Sequence, residues 1–359
     1  MTTSNGSSLG PVNFGIAMTD ARERLERPIF IVGSPRSGTT LLQNVLSRDP
    51  SAFTLGRESR FLWHRLGGQE VTGSFPGADA VAAEYVAEAY RGERAWGEDE
   101  QRRWADRCAS QGVPAQYLDL PHELAEELGT ETAGPFAGSV QSETAPFTLP
   151  PLDPEWAADT DGPVRLVDKD TGHCWRIPEL SAAFPDAQFI FVVRDPEDAI
   201  RSLMAGWRHP TWFFTYRLDT PLNIAGYSDL APWGKRWWNF NLFPAWESLV
   251  NAPIEEVAAA QWSAALTPII EHGVPLIEQG RAFVTTYERL TTETRATLSA
   301  IAEFADLDAD ALMAEDLDRA YMSMSAATFD PGSSDLRQRA DRARTLLDPL
   351  STFLPAGRA

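Results

Sequence analysis

At 359 residues the chain can bury a large hydrophobic core, and we read it as one large domain carrying insertions. Acidic residues number 51 against 31 lysines and arginines, a formal charge of -20, which argues against nucleic acid or an anionic membrane as a partner and makes any anion site a local one. Lys169 and Lys235 are the only lysines, the histidines and the cysteines Cys108 and Cys174 show no metal-ligand spacing, and no eighteen apolar residues run together, so the expectation is a cytoplasmic protein with no structural metal, disulfide framework or membrane span.

Residues 1–26 are rich in Gly, Ser, Thr and Asn and read as a flexible leader before a single domain over 27–359. "IFIV" at 29–32 has the apolar run of a strand buried on both faces. It leads into "GSPRSGTT", where Gly33 and Gly38 keep the glycine spacing of a phosphate-binding loop. Thr39 stands where that loop carries its lysine, and Arg36 lies inside the turn. The backbone N–H groups of Ser37, Gly38, Thr39 and Thr40 are therefore candidate anion donors at a helix N-terminus. Leu41, Leu42, Val45 and Leu46 fall on one face of the helix that follows.

"GRESRFLW" offers Glu58 as a candidate carboxylate between Arg57 and Arg60, whose charge favours its ionised form. Residues 61–163 read as a helical insertion over the sheet. "VRLVD" from Val164 is the next strand, followed at once by Lys169 and "DTGH" with His173. "FIFVV" from Phe189 is another strand, ended by Arg194, and Ser202 sits two turns into the helix that Pro196, Glu197 and Asp198 open. Residues 204–250 form an aromatic-rich lid with Trp207, Trp212, Phe213, Phe214, Tyr216, Trp233, Trp237, Trp238 and Trp246, which suits either packing or an apolar acceptor pocket. "AFVTT" from Ala282 is the last strand, ahead of Tyr287. Strands alternating with helices predict an α/β fold with a parallel doubly wound sheet and a ligand at the carboxyl ends of its strands.

Two of these segments carry a resemblance. "GSPRSGTTLLQNVLSRDP" resembles the 5'-phosphosulfate loop of sulfotransferases that use 3'-phosphoadenosine 5'-phosphosulfate, in the form seen in tyrosylprotein and bacterial carbohydrate or small-molecule enzymes. "FPDAQFIFVVRDPEDAIRS" resembles the 3'-phosphate motif of the same family. The resemblance implies the P-loop nucleoside triphosphate hydrolase-like fold, that nucleotide as cofactor and its bisphosphate as product. It implies Arg36 and residues 37–40 at the 5' end, and Arg194 and Ser202 at the 3' end. "VTTYERL" is similar to a family segment that would bring Tyr287 to the nucleotide, and "FDPGSSDLRQRAD" offers Ser333, Ser334 or Arg337 as later 3'-phosphate contacts.

Sulfonate transfer needs fixed positive charge where the bridging oxygen gains negative charge, and Arg36 and Lys169 are the candidates. It also needs a base for the acceptor hydroxyl. Glu58 resembles the base of tyrosylprotein sulfotransferases, and His173 is its rival, although Thr171 replaces a proline common in that second segment. The expected partner is a small hydroxylated acceptor, with a role in secondary metabolism. A magnesium- and ATP-dependent phosphoryl transferase and a nonenzymatic bisphosphate-binding protein are the competing readings; Thr39 in the lysine position argues against the first.

Overall fold

The computed structural model describes residues 25–54, 58–59, 62–63, 66, 77–95, 164–208, 214–230, 232–313 and 334–354. Strands β1 (Ile29–Val32), β2 (Ala52–Phe53), β3 (Arg165–Lys169) and β4 (Gln188–Val193) are followed by an antiparallel ribbon, β5 (Phe214–Arg217) with β6 (Trp237–Asn239), and by β7 (Ala282–Thr286). Apart from the ribbon they form one parallel sheet in the order β2-β3-β1-β4-β7. This is the parallel α/β architecture expected from the alternation of strands and helices.

The continuous apolar runs of β1 and β4 are buried at every position because helices cover both faces of the sheet. Alternation along the strands divides the core in two. Phe30, Val32, Phe189, Phe191 and Val193 pack in one cluster with residues of α2 (Ala78–Ala95), α3 (Ile177–Ala183), α4 (Pro196–Arg208) and α5 (Ile254–Pro268). Ile29, Ile31, Val167, Ile190 and Val192 turn the other way, toward Leu41, Leu42, Val45 and Leu46 of α1 (Thr39–Leu46) and Leu298, Ile301 and Ala302 farther along the chain. The aromatic side of the sheet is thus distinct from its aliphatic side.

From β1 the chain leaves toward β2 and β3, then crosses back over β1 to β4 and β7. The central strand β1 therefore lies at the point where strand order reverses, and its carboxyl end opens the crevice such sheets offer to ligands.

Some boundaries differ from those the sequence suggested. Leu25, expected in the leader, is buried and bridges to Val164, and the Glu26 N–H donates to the Val164 carbonyl oxygen at 3.0 Å. Strand β3 runs through Lys169, which pairs level with Ile31. Of the 61–163 stretch, α2 packs over the sheet, with Tyr85 edge-on to Phe30 and Phe184, each at 5.8 Å between centroids. Most of the remainder lies outside the described residues, as do residues 1–24.

Where its side chains are described, the aromatic stretch is core or, for Trp246, partly buried against it. Trp207, Trp237 and Trp238 are fully buried. Trp207 meets Tyr227 and Trp238 edge-on at 4.8 and 5.0 Å, and Trp238 meets Trp246 at 5.4 Å. Their polar tips are satisfied internally: Trp207 Nε1 donates to Gln261 Oε1 at 2.7 Å and Trp238 Nε1 to the Asn241 carbonyl oxygen at 3.1 Å. Of the two readings open for this stretch, these residues follow packing. Trp212 and Phe213 and the side chains of Phe214, Tyr216 and Trp233 lie outside the described residues.

Candidate active site

The carboxyl ends of β1, β3, β4 and β7 bring the candidate residues to one edge of the sheet. After β1 the loop turns sharply, and two glycines make the turn feasible. A Cβ on Gly33 would lie 2.5 Å from the Val192 carbonyl oxygen, and Gly38 adopts φ +84° beside the ring of Tyr287, where a Cβ would come within 2.6 Å of Cδ2. Arg36 holds the left-handed conformation at φ 70°, strained backbone of the kind that clusters in ligand loops.

That strain aims Arg36 toward the second segment. Its Nε donates to Ser202 Oγ at 3.2 Å, and its carbonyl oxygen accepts from an Arg194 Nη at 2.8 Å. The Arg194 guanidinium lies 4.2 Å over the Tyr287 ring, a cation–π contact. Arg36, Gly38, Arg194, Ser202 and Tyr287 are thereby brought together from three places in the chain. Arg194 Nε is buried with no hydrogen-bond partner, and burial holds its guanidinium below the usual arginine value. An anion would restore what the donor lacks.

The junction behind Arg194 is braced. The Asp195 N–H donates to Glu288 Oε1 at 3.1 Å, Asp195 Oδ1 accepts from the Glu197 N–H at 2.9 Å, and Asp195 Oδ2 pairs with Arg344 at 2.9 Å. Arg344 ends α6 (Ser334–Arg344). Arg337 of the same helix is 60% exposed and lies 3.9 Å from the Glu197 carboxylate. Ser334 is exposed, and Ser333 lies outside the described residues.

Within the loop, one expected donor is already used. The Ser37 N–H donates to the Ser34 carbonyl oxygen at 3.2 Å, and the two hydroxyls meet at 2.6 Å in a buried pair. Ser37 thus shapes the turn, in place of the open N–H expected from the spacing. Gly38, Thr39 and Thr40 stand at the start of α1, where leading N–H groups have no carbonyl within the helix to bond.

Lys169 and Glu58 form an ion pair at the end of β3, the lysine side chain nearly buried and the glutamate 34% exposed. Residues 111 positions apart thus meet at the carboxyl end of the strand that pairs with β1. Arg57 and Arg60, expected to flank the carboxylate, lie outside the described residues.

His173 is placed differently. It lies in the 3-10 turn Thr171–Trp175, which Asp170 caps by accepting from the Gly172 N–H, and its ring is completely buried, edge-on to Phe30 at 5.6 Å. Its Nε2 lies 2.9 Å from Asp168 Oδ2. The structure does not bring it to the Lys169–Glu58 pair by any direct contact. Asp168 and its partner Tyr85 escaped the sequence reading; a charge inside the apolar run "VRLVD" was the signal, because a buried carboxylate requires partners.

No curated protein matches the chain. A family profile described as "Sulfotransferase family" matches residues 28–242. Among solved structures, the sulfotransferase domain from the curacin biosynthetic pathway aligns at 17% identity and a TM-score of 0.43, covering 92% of this chain and 100% of that one. A sulfotransferase of Mycobacterium tuberculosis aligns at 16% identity and 0.45, covering 92% and 78%. One from Alicyclobacillus acidocaldarius aligns at 13% and 0.42, covering 91% and 96%.

Proposed function

The chain belongs to the sulfotransferase family, and from that premise we propose that it moves a sulfonate from 3'-phosphoadenosine 5'-phosphosulfate, directly and in line, to a hydroxyl of a small-molecule, glycoside or lipid acceptor. The observation that carries this reading is the junction of two segments: Arg194 and Ser202 both bond Arg36 of the glycine loop. A nucleotide with a phosphate at each end suits that arrangement. The buried, unpartnered Nε of Arg194 fits the 3'-phosphate, with Ser202 Oγ as a neutral donor beside it. The start of α1 fits the 5' end.

When bound, the nucleotide supplies an activated sulfonate. The chain's own residues then have three tasks. Arg194, Ser202 and Tyr287 hold and orient the nucleotide. Arg36 and Lys169 keep positive charge where the bridging oxygen gains electrons, and one preorganised donor in comparable sites contributes about 2.7–4 kcal/mol. Glu58 takes the proton from the acceptor hydroxyl. We assign that proton to Glu58 over His173 because the carboxylate is partly exposed beside Lys169, whereas the imidazole is sealed in the core.

The test is transfer of radiolabelled sulfonate from the nucleotide to a panel of phenols, sugars and lipids. Glu58→Gln should lower kcat by about a hundredfold or more and leave the affinity for adenosine 3',5'-bisphosphate within about twofold. Near-normal turnover in that variant together with loss in His173→Ala would move the base to the imidazole.

A further inference from the structure

Behind the Lys169–Glu58 pair, four completely buried side chains from three stretches of chain form one hydrogen-bonded group: Ser59, Tyr85, Asp168 and His173. The Tyr85 hydroxyl lies 2.9 Å from Asp168 Oδ2 and 3.1 Å from Ser59 Oγ. His173 Nε2 reaches the same Asp168 oxygen at 2.9 Å.

The proton count orders this group. An ionised Asp168 only accepts, and a phenol has one proton to give, so Tyr85 donates to Asp168 and the Ser59 hydroxyl donates to the phenolic oxygen. Burial, reinforced by the Asp168 charge, pushes the Tyr85 phenol well above its ordinary value. It therefore stays a donor at any working pH.

The connectivity matters more than the bonds themselves. Ser59 directly follows Glu58, and Asp168 directly precedes Lys169. One hydroxyl on α2 thus ties together the two backbones whose adjoining residues make the ion pair, reaching 26 residues back and 83 residues forward in sequence. Buried hydrogen bonds of this kind are strengthened by the low local dielectric and fix the relative geometry of the groups they join.

We propose that Tyr85 is a positioning residue for sulfonate transfer, holding Glu58 and Lys169 in mutual register through Ser59 and Asp168, with His173 closing the buried end of the same network. The proposal rests on the catalytic reading of the Lys169–Glu58 pair given above. It assigns part of the 61–163 stretch a task at the reaction centre, and it gives His173 work other than base catalysis.

Tyr85→Phe is the direct test, because the ring keeps its edge contacts with Phe30 and Phe184 and only the hydroxyl goes. A small displacement of a reacting group costs one to two powers of ten in rate, so kcat should fall about tenfold or more. The calorimetric affinity for adenosine 3',5'-bisphosphate should stay within about twofold. Ser59→Ala cuts the other arm with less disturbance and should lower kcat in the same way, which keeps the test alive if the phenylalanine variant folds poorly. In a Glu58→Asp background the carboxylate is already withdrawn, and coupled residues are non-additive, so Tyr85→Phe should then cost less than about threefold. Unchanged kcat in both single variants overturns the proposal, and so does an equal loss in the Glu58→Asp background, which would mark general loosening. If Glu58→Gln is inactive while Tyr85→Phe is silent, only the positioning claim falls; if Glu58→Gln turns over normally, the catalytic reading beneath it falls too.

Discussion

Arg194 gains its place from the Arg36 carbonyl oxygen, the Tyr287 ring and a backbone braced by Glu288, so that two other stretches of chain hold it. The brace includes Glu288, whose carboxyl is pushed up chiefly by burial, an effect that the neighbouring Arg194 charge and the Asp195 N–H only partly offset. This has a consequence for stability. A carboxyl raised in the folded state binds its proton at a pH where the unfolded chain has already released it. Stability therefore falls as pH rises from the ordinary carboxylate value through the raised one, and is level on either side. Glu288→Gln keeps an acceptor oxygen for the Asp195 N–H and removes the ionisation. Urea unfolding of both proteins across that window should show the variant gaining on the wild type as pH rises; a difference that stays flat with pH would contradict the assignment.

At the scale of elements, each strand of the sheet from β3 to β7 ends at a residue with a place in the candidate site: Lys169, the Gly33 turn, Arg194 and Tyr287. The ribbon of β5 and β6 does something else, closing an aromatic cluster over α4 and α5. Trp238→Ala should cost about 3–5 kcal/mol in chemical unfolding, the range for emptying a large aromatic site, with acceptor KM unchanged; a raised KM at near-normal stability would restore the acceptor-pocket reading. These two outcomes also mark what local sequence can tell. The strands around β1 and β4 were legible because a doubly covered strand must be apolar throughout, and the glycine loop because Gly33 and Gly38 meet steric demands only glycine satisfies. The packed state of the tryptophans was not legible, since composition alone does not say whether an indole faces solvent or Gln261. Tyr85 was hidden for the same reason, because its partner Asp168 lies 83 residues away and no local period encodes such a pair. Short β2, two residues long, leaves no periodic trace at all.

For the whole molecule the decisive contrast is between an acidic chain of formal charge -20 and the guanidinium groups of Arg36 and Arg194 brought together at the carboxyl edge of the sheet. A field of that kind repels polyanions yet leaves one point where a compact anion is welcome. Among the described residues no helix is long and apolar enough to cross a membrane, and no group of His, Cys, Asp and Glu could hold a metal ion. Two distant segments closing on one nucleotide is the claim on which the rest of the account depends. Isothermal titration of the full chain with adenosine 3',5'-bisphosphate in the presence of a chelator tests it most directly. The account predicts a dissociation constant of about a micromolar or tighter, weakened about tenfold or more in Arg194→Ala, as loss of a charge-assisted contact requires. No binding of the bisphosphate, equal binding in Arg194→Ala, or a preference for ATP with magnesium would contradict it.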